Sequence, residues 1–83
     1  MEHDKEYKIV VNGTDHTVEH DVLTFDQIVE IAFPKHPSNP DTVYSITFEK
    51  VESEPHQGTL SPGGKVTVRH HGTIFDVTET IRS

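Results

Sequence analysis

Cysteine is absent from this chain of 83 residues, and so is tryptophan. Without a thiol the protein cannot be a cysteine-nucleophile enzyme, a plant-type ferredoxin or a disulfide-stapled scaffold. Basic residues are scarce as well: seven lysines and arginines stand against fourteen aspartates and glutamates, for a net charge of −7. The seven are Lys5, Lys8, Lys35, Lys50, Lys65, Arg69 and Arg82, spread along the chain, which argues against nucleic-acid binding by phosphate neutralisation. No apolar run approaches the roughly 18 residues of a membrane span, and MEHDKEYK lacks the apolar centre of a signal peptide. These absences point to a soluble, cytoplasmic protein. Its negative surface suits solubility and a basic partner.

What is present suffices for one small core. Leu, Ile, Val and Phe supply 22 of the 83 residues, about 27%, above the roughly 20% at which disorder becomes the default. Valine leads and alanine occurs once, so strand should outweigh helix. In YKIVV-NG-TDHTVEH, Asn12-Gly13 suits a two-residue hairpin turn. That turn sets Val10 opposite Asp15, Ile9 opposite His16, Lys8 opposite Thr17 and Tyr7 opposite Val18. Tyr7, Ile9, Val11 and Val18 then share the core face.

A helix follows, with Thr24 as N-cap, Gln27 completing a capping box, and Leu23 with Ile28 as a staple. Phe25, Ile28, Val29 and Ala32 form its apolar stripe, and Pro34 ends it near Phe33. PKHPSNPD (34–41) reads as a stiff loop. VYSITFEKV alternates Tyr44, Ile46 and Phe48 inward. ESEPHQGTLSPGG (52–64) reads as a polar connection anchored by Leu60. KVTVR-HHG-TIFDV looks like a second hairpin, with Val68 by Phe75 and Val66 by Val77. The order strand, strand, helix, strand, strand, strand implies an α+β, β-grasp layout: a mixed sheet of about five strands crossed on one face by one helix. Either KVTV or TIFDV could be the central strand.

Catalytic and metal patterns are weak. His16 and His20, four apart on a strand, lie roughly 13 Å apart, and neither cysteine nor a helical HxxxH supports zinc. No serine has a Gly-x-Ser-x-Gly setting, no acidic pair suggests carboxylate catalysis, and Pro62-Gly63-Gly64 is a turn into a strand rather than a phosphate cradle. The residues therefore suggest neither an enzyme nor a metal site. The solvent face of the sheet is more informative. Val10, Val43 and Ile74, with Lys65 and Arg69 at the rim, form a candidate partner-binding patch.

YKIVVNGTDHTVEHDVLTFDQIVEIAFP, VYSITFEK, GTLSPGGKVTV and GTIFDVTETIRS together resemble bacterial ubiquitin-like domains of the multiubiquitin type, over about residues 6–83. The resemblance implies a ubiquitin-like β-grasp domain over 6–78, between a flexible N-terminus (1–5) and a flexible tail (79–83). It further implies a protein modifier in a bacterial ubiquitination-like pathway, with antiphage defence as one setting. Thr80, Ile81, Arg82 and Ser83 would be the conjugation tail. ATP and Mg²⁺ would belong to a partner activating enzyme, none being needed in this chain. Conjugating-enzyme-like proteins, a processing or deconjugating protease and the modified targets would be the other partners. The terminal diglycine of ubiquitin is absent, as it often is in the multiubiquitin type. The competing reading is a non-covalent module that docks a partner through its sheet face. A sulfur carrier, which would need the diglycine, and a self-assembling role stand behind it.

Overall fold

The computed structural model describes residues 6–34 and 42–81. The expected flexible N-terminus (1–5), most of the proline-rich 34–41 loop, and Arg82 and Ser83 lie outside the described residues. Strands β1 (Tyr7–Val11) and β2 (Thr14–Val18) form the first hairpin in the anticipated register, Val10 opposite Asp15 and Tyr7 opposite Val18. Asn12 (φ +52°) and Gly13 (φ +81°) both take the left-handed conformation that such a turn requires. Strand β3 (Val22–Thr24) leads into helix α1 (Phe25–Ala32). The capping box is complete: the Gln27 N–H donates to Thr24 Oγ1 at 3.2 Å, and the Thr24 N–H donates to Gln27 Oε1 at 3.0 Å.

Four further strands follow: β4 (Thr42–Glu49), β5 (Gln57–Leu60), β6 (Lys65–Thr67) and β7 (His71–Ile81). The main sheet has the order β2-β1-β7-β4-β5, with β7 parallel to β1 and antiparallel to β4. This five-stranded mixed sheet with one helix is the expected β-grasp arrangement, and TIFDV provides the central strand. The helix contributes Phe25, Ile28 and Val29 to a core that also holds Ile9, Val11, Ile46, Phe48, Phe75 and Val77. A helix of eight residues would not persist alone, so burial of this stripe is what holds it in place.

Three expectations are corrected. The second hairpin does not form. β6 pairs antiparallel with β3, Val66 opposite Leu23, in a separate two-stranded sheet. Its other edge is also occupied: the Thr67 C=O accepts from the Glu52 and Ser53 N–H groups at 2.8 and 3.3 Å, and the Thr67 N–H donates to Ser53 Oγ at 3.0 Å. Val66 and Val68 are buried as their alternation required, but no edge remains for β7. Secondly, the polar stretch 52–64 contains β5, an edge strand whose Leu60 alone enters the core. Thirdly, the tail expected to be free from 79 onward is strand through Ile81, with Glu79 opposite Tyr44, Thr80 opposite Val43 and Ile81 opposite Thr42.

Two side chains complete the bonding of β7. Thr73, fully buried, accepts the Arg69 N–H at 3.0 Å and donates to the Lys50 C=O at 2.8 Å, fixing the corner at which the chain enters the strand. Asn12 acts as a surrogate peptide group beyond the end of β1. Its Nδ2 donates to the Val77 C=O at 3.1 Å, and its Oδ1 accepts the Val77 N–H at 2.8 Å. Replacing Asn12 by glycine separates this clamp from the turn, because glycine tolerates the left-handed conformation at least as well. Asn12→Gly is expected to lower stability by about 1–3 kcal/mol through loss of two hydrogen bonds. Urea unfolding measures it; an unchanged midpoint would mean that Asn12 serves the turn alone.

Candidate functional site: the outer sheet face and the terminal arm

The sheet has one face on the helix and one toward solvent, and strand parity decides which side chains reach solvent. Four registers define a transverse row on the outer face. Asp15 of β2 stands opposite Val10 of β1, Val10 opposite Ile74 of β7, Ile74 opposite Glu49 of β4, and Glu49 opposite Gln57 of β5. Val10 and Ile74 are half-buried neighbours, and Asp15 and Glu49 flank them as exposed carboxylates. Asp76, two residues beyond Ile74 on the same face, is exposed as well. A shallow depression of about 450 Å³ lies beside the row, lined in part by Thr47, Glu49, Thr59, Ile74 and Asp76.

The expected patch is thus brought together only in part. Val10 and Ile74 meet. Val43 shares their face and is 40% exposed, but it sits opposite Thr80, six residues along β7 from Ile74 and so roughly 20 Å away. Lys65 belongs to the two-stranded sheet, opposite Thr24. Arg69 follows β6, with its Nε 3.7 Å from Glu52 Oε1 in an exposed, weak pair. Both basic residues were placed on this face by the hairpin that does not form. Sequence reasoning also passed over Asp15 and Glu49 as members of the patch. The turn register already gave the Asp15–Val10 pair, whereas Glu49 required the β4–β7 register. At the neighbouring edge Lys8, His70 and His71 line a notch with Glu6, and the His70 ring meets the Tyr7 ring edge-on at 5.5 Å.

The second feature is an arm. Val77 is the last buried residue of β7; residues 78–81 are exposed and continue the ladder with residues 42–45 of β4. β1 does not extend this far, and among the described residues no strand pairs with that side of β7 beyond Val77. Because Val77 turns its N–H and C=O toward Asn12, alternation turns those of Glu79 and Ile81 toward that side. The arm is fastened to the body by Tyr44, whose hydroxyl donates to Glu79 Oε2 at 2.9 Å and whose ring packs on Phe33, just past the helix, at 5.8 Å. Partial burial, the hydrogen bond to Glu79 and the Glu79 charge all raise the Tyr44 pKa above its ordinary value. Thr80 and Ile81 of the expected conjugation tail therefore lie in the arm, while Arg82 and Ser83 are outside the described residues. Among the described residues, no three His, Asp or Glu side chains form a group that could hold a metal ion, and no helix is long and apolar enough to cross a membrane.

Comparison with known protein families places the chain. The family model described as Multiubiquitin matches residues 7–81, from the first residue of β1 to the last of β7. Neither the curated proteins nor the solved structures contain a match.

The Tyr44–Glu79 contact has a pH signature. In a Tyr7→Phe background Tyr44 is the sole phenol, and its phenolate absorbance is expected to rise at a pH above the usual value of about 10. Glu79→Gln should move that midpoint part of the way back. The folded state favours the protonated phenol. Its contribution is therefore present in full below the unfolded-state pKa and is lost as pH rises through the folded one. A midpoint indifferent to Glu79→Gln would show that the two side chains do not interact in solution.

Proposed function

The chain belongs to the multiubiquitin family, and from that premise we propose that it is a ubiquitin-like modifier whose C-terminal carboxylate is activated by a partner enzyme and joined to target proteins. The observation that carries this reading is the arm. Residues 78–81 extend the central strand beyond its last buried residue, exposed, paired with β4 on one side and with no strand partner among the described residues on the other, so extended main chain is accessible there. A partner's active site can receive backbone of this kind without disturbing the core.

The chemistry needs no catalytic group from this chain. A carboxylate is a poor acyl donor because its leaving group would be oxide. Attack on the α-phosphate of ATP, with Mg²⁺ on the phosphates, gives an acyl adenylate and releases pyrophosphate. A nucleophile of the partner or target then displaces AMP, and an attacking amine loses a proton as the amide forms. The domain's task is to be recognised and to offer the tail. Activating-enzyme-like and conjugating-enzyme-like proteins and a processing or deconjugating protease are the partners in this proposal. The cytoplasm is its location and antiphage defence one setting. The Val10–Ile74 pair favours a second reading, a module that docks a partner non-covalently through the outer face.

The modifier reading predicts covalent adducts. An N-terminally tagged chain, expressed in its native cell and purified under denaturing conditions, should carry added mass on peptides joined through its terminal carbonyl. Deletion of 79–83 should abolish the adducts and leave thermal unfolding nearly unchanged, since residues 79–81 are exposed and add no side chain to the buried core. Only unmodified chain, in cells that also produce the activating and conjugating partners, would overturn the modifier reading in favour of docking.

A further inference from the structure

The outer face combines an apolar centre with carboxylates on both flanks, and that combination specifies a partner. Across the sheet the row runs Asp15, Val10, Ile74, Glu49. Asp76 adds a third exposed carboxylate, and among the described residues none of the three is in an ion pair. Among the described residues Lys8 also adjoins the pair on this face, two residues before Val10 and opposite Thr17 and His71. Neighbouring strands lie about 4.8 Å apart, so Asp15 and Glu49, three strands apart, are separated by roughly 14 Å with the Val10–Ile74 pair midway.

We infer that this face docks a cationic protein segment in which an aliphatic side chain is flanked by two basic ones. The geometry matches. In an extended chain of the pattern Lys-x-Leu-x-Lys, the three side chains point the same way and the outer two are about 14 Å apart. Such a segment crossing the strands seats its leucine on Val10 and Ile74 and carries its ammonium groups to Asp15 on one side and to Glu49 and Asp76 on the other. The apolar contact supplies affinity, and the carboxylates supply orientation and rejection of acidic competitors. Phosphate-rich partners are disfavoured by the same charges. A second copy of this chain is disfavoured too, because it brings a further net charge of −7. The inference rests on the docking reading of the face and is independent of conjugation.

The probe is a capped peptide, TKTLTKT, titrated at low salt into the ¹⁵N-labelled chain, with TETLTET as control. Amide shifts are expected at Val10, Asp15, Glu49, Ile74 and Asp76 with the lysine peptide and not with the glutamate peptide. The triple variant Asp15→Asn/Glu49→Gln/Asp76→Asn keeps side-chain shape on an exposed surface and should weaken binding about tenfold, each exposed pair contributing modestly. Val10→Thr should weaken it as well while leaving the salt dependence intact. Binding at this face that ignores the triple variant would overturn the charge assignment and leave the docking reading standing. Shifts spread equally over Asp26, Glu52 and Glu79, or no binding at all, would remove both.

Discussion

The architecture depends on one requirement: the central strand must satisfy its backbone on both sides while most of its length is buried. β7 meets it with a parallel partner on one edge and an antiparallel one on the other, and with side chains where those partners run out. β1 ends at the Asn12–Gly13 turn just as β7 still needs one more peptide group opposite Val77, and the Asn12 amide supplies it. At the other end, Thr73 satisfies the Arg69 N–H and the Lys50 C=O where the chain enters the strand and no regular ladder can. A buried backbone group without a partner costs about 1–3 kcal/mol, a large share of the stability of so small a domain. The same Asn12 therefore serves the hairpin turn through its backbone and the central strand through its side chain.

Placing β7 at the centre decides where the other residues can go. With β1 and β4 on its two edges there is no edge left for β6, which instead joins β3 beside the start of the helix. That displacement carries Lys65 and Arg69 away from the outer face. The face that remains is set by β2, β1, β7 and β4, whose outward residues around Val10 and Ile74 are mainly acidic or hydroxylic. The charge of the surface is thus a consequence of strand order and not of composition alone.

Local features were legible in the sequence. The Asn12–Gly13 turn fixes its hairpin because the register follows from the turn itself, and the helix start follows from Thr24 and Gln27 within three residues. Alternation correctly marked Ile46, Phe48, Val66, Val68, Phe75 and Val77 as inward. Alternation reports a face, however, and is silent on which strand lies next door. Val66 and Val68 are buried in either pairing, so the sequence offered nothing to separate a β6–β7 hairpin from the observed β3–β6 pair. β5 does not stand out in the sequence because an edge strand needs only Leu60 inside, and its other residues look like loop. The candidate patch is legible only in part for the same reason: parity identifies Val10 and Ile74, while a basic rim of Lys65 and Arg69 depends on a β6–β7 pairing that does not form. The Tyr44–Glu79 contact, between residues 35 apart in sequence, required the β4–β7 register before it could be seen.

Both candidate functional features lie on the same strand, and this links recognition to presentation. Ile74 sits on the outer face and Ile81 ends the described arm, seven residues on along a continuous strand, a span of roughly 23 Å. No hinge interrupts that span: the β4 ladder accompanies it throughout, and Asn12 and Tyr44 fasten it at intermediate points. A partner that grips the face therefore also fixes where the arm emerges and in which direction it points. In a modifier, such a strand would act as a ruler, holding the activated end at a set distance from the recognition surface so that one binding event aligns both. In a non-covalent module the same rigidity would have no chemical end to position, and the face alone would carry the function.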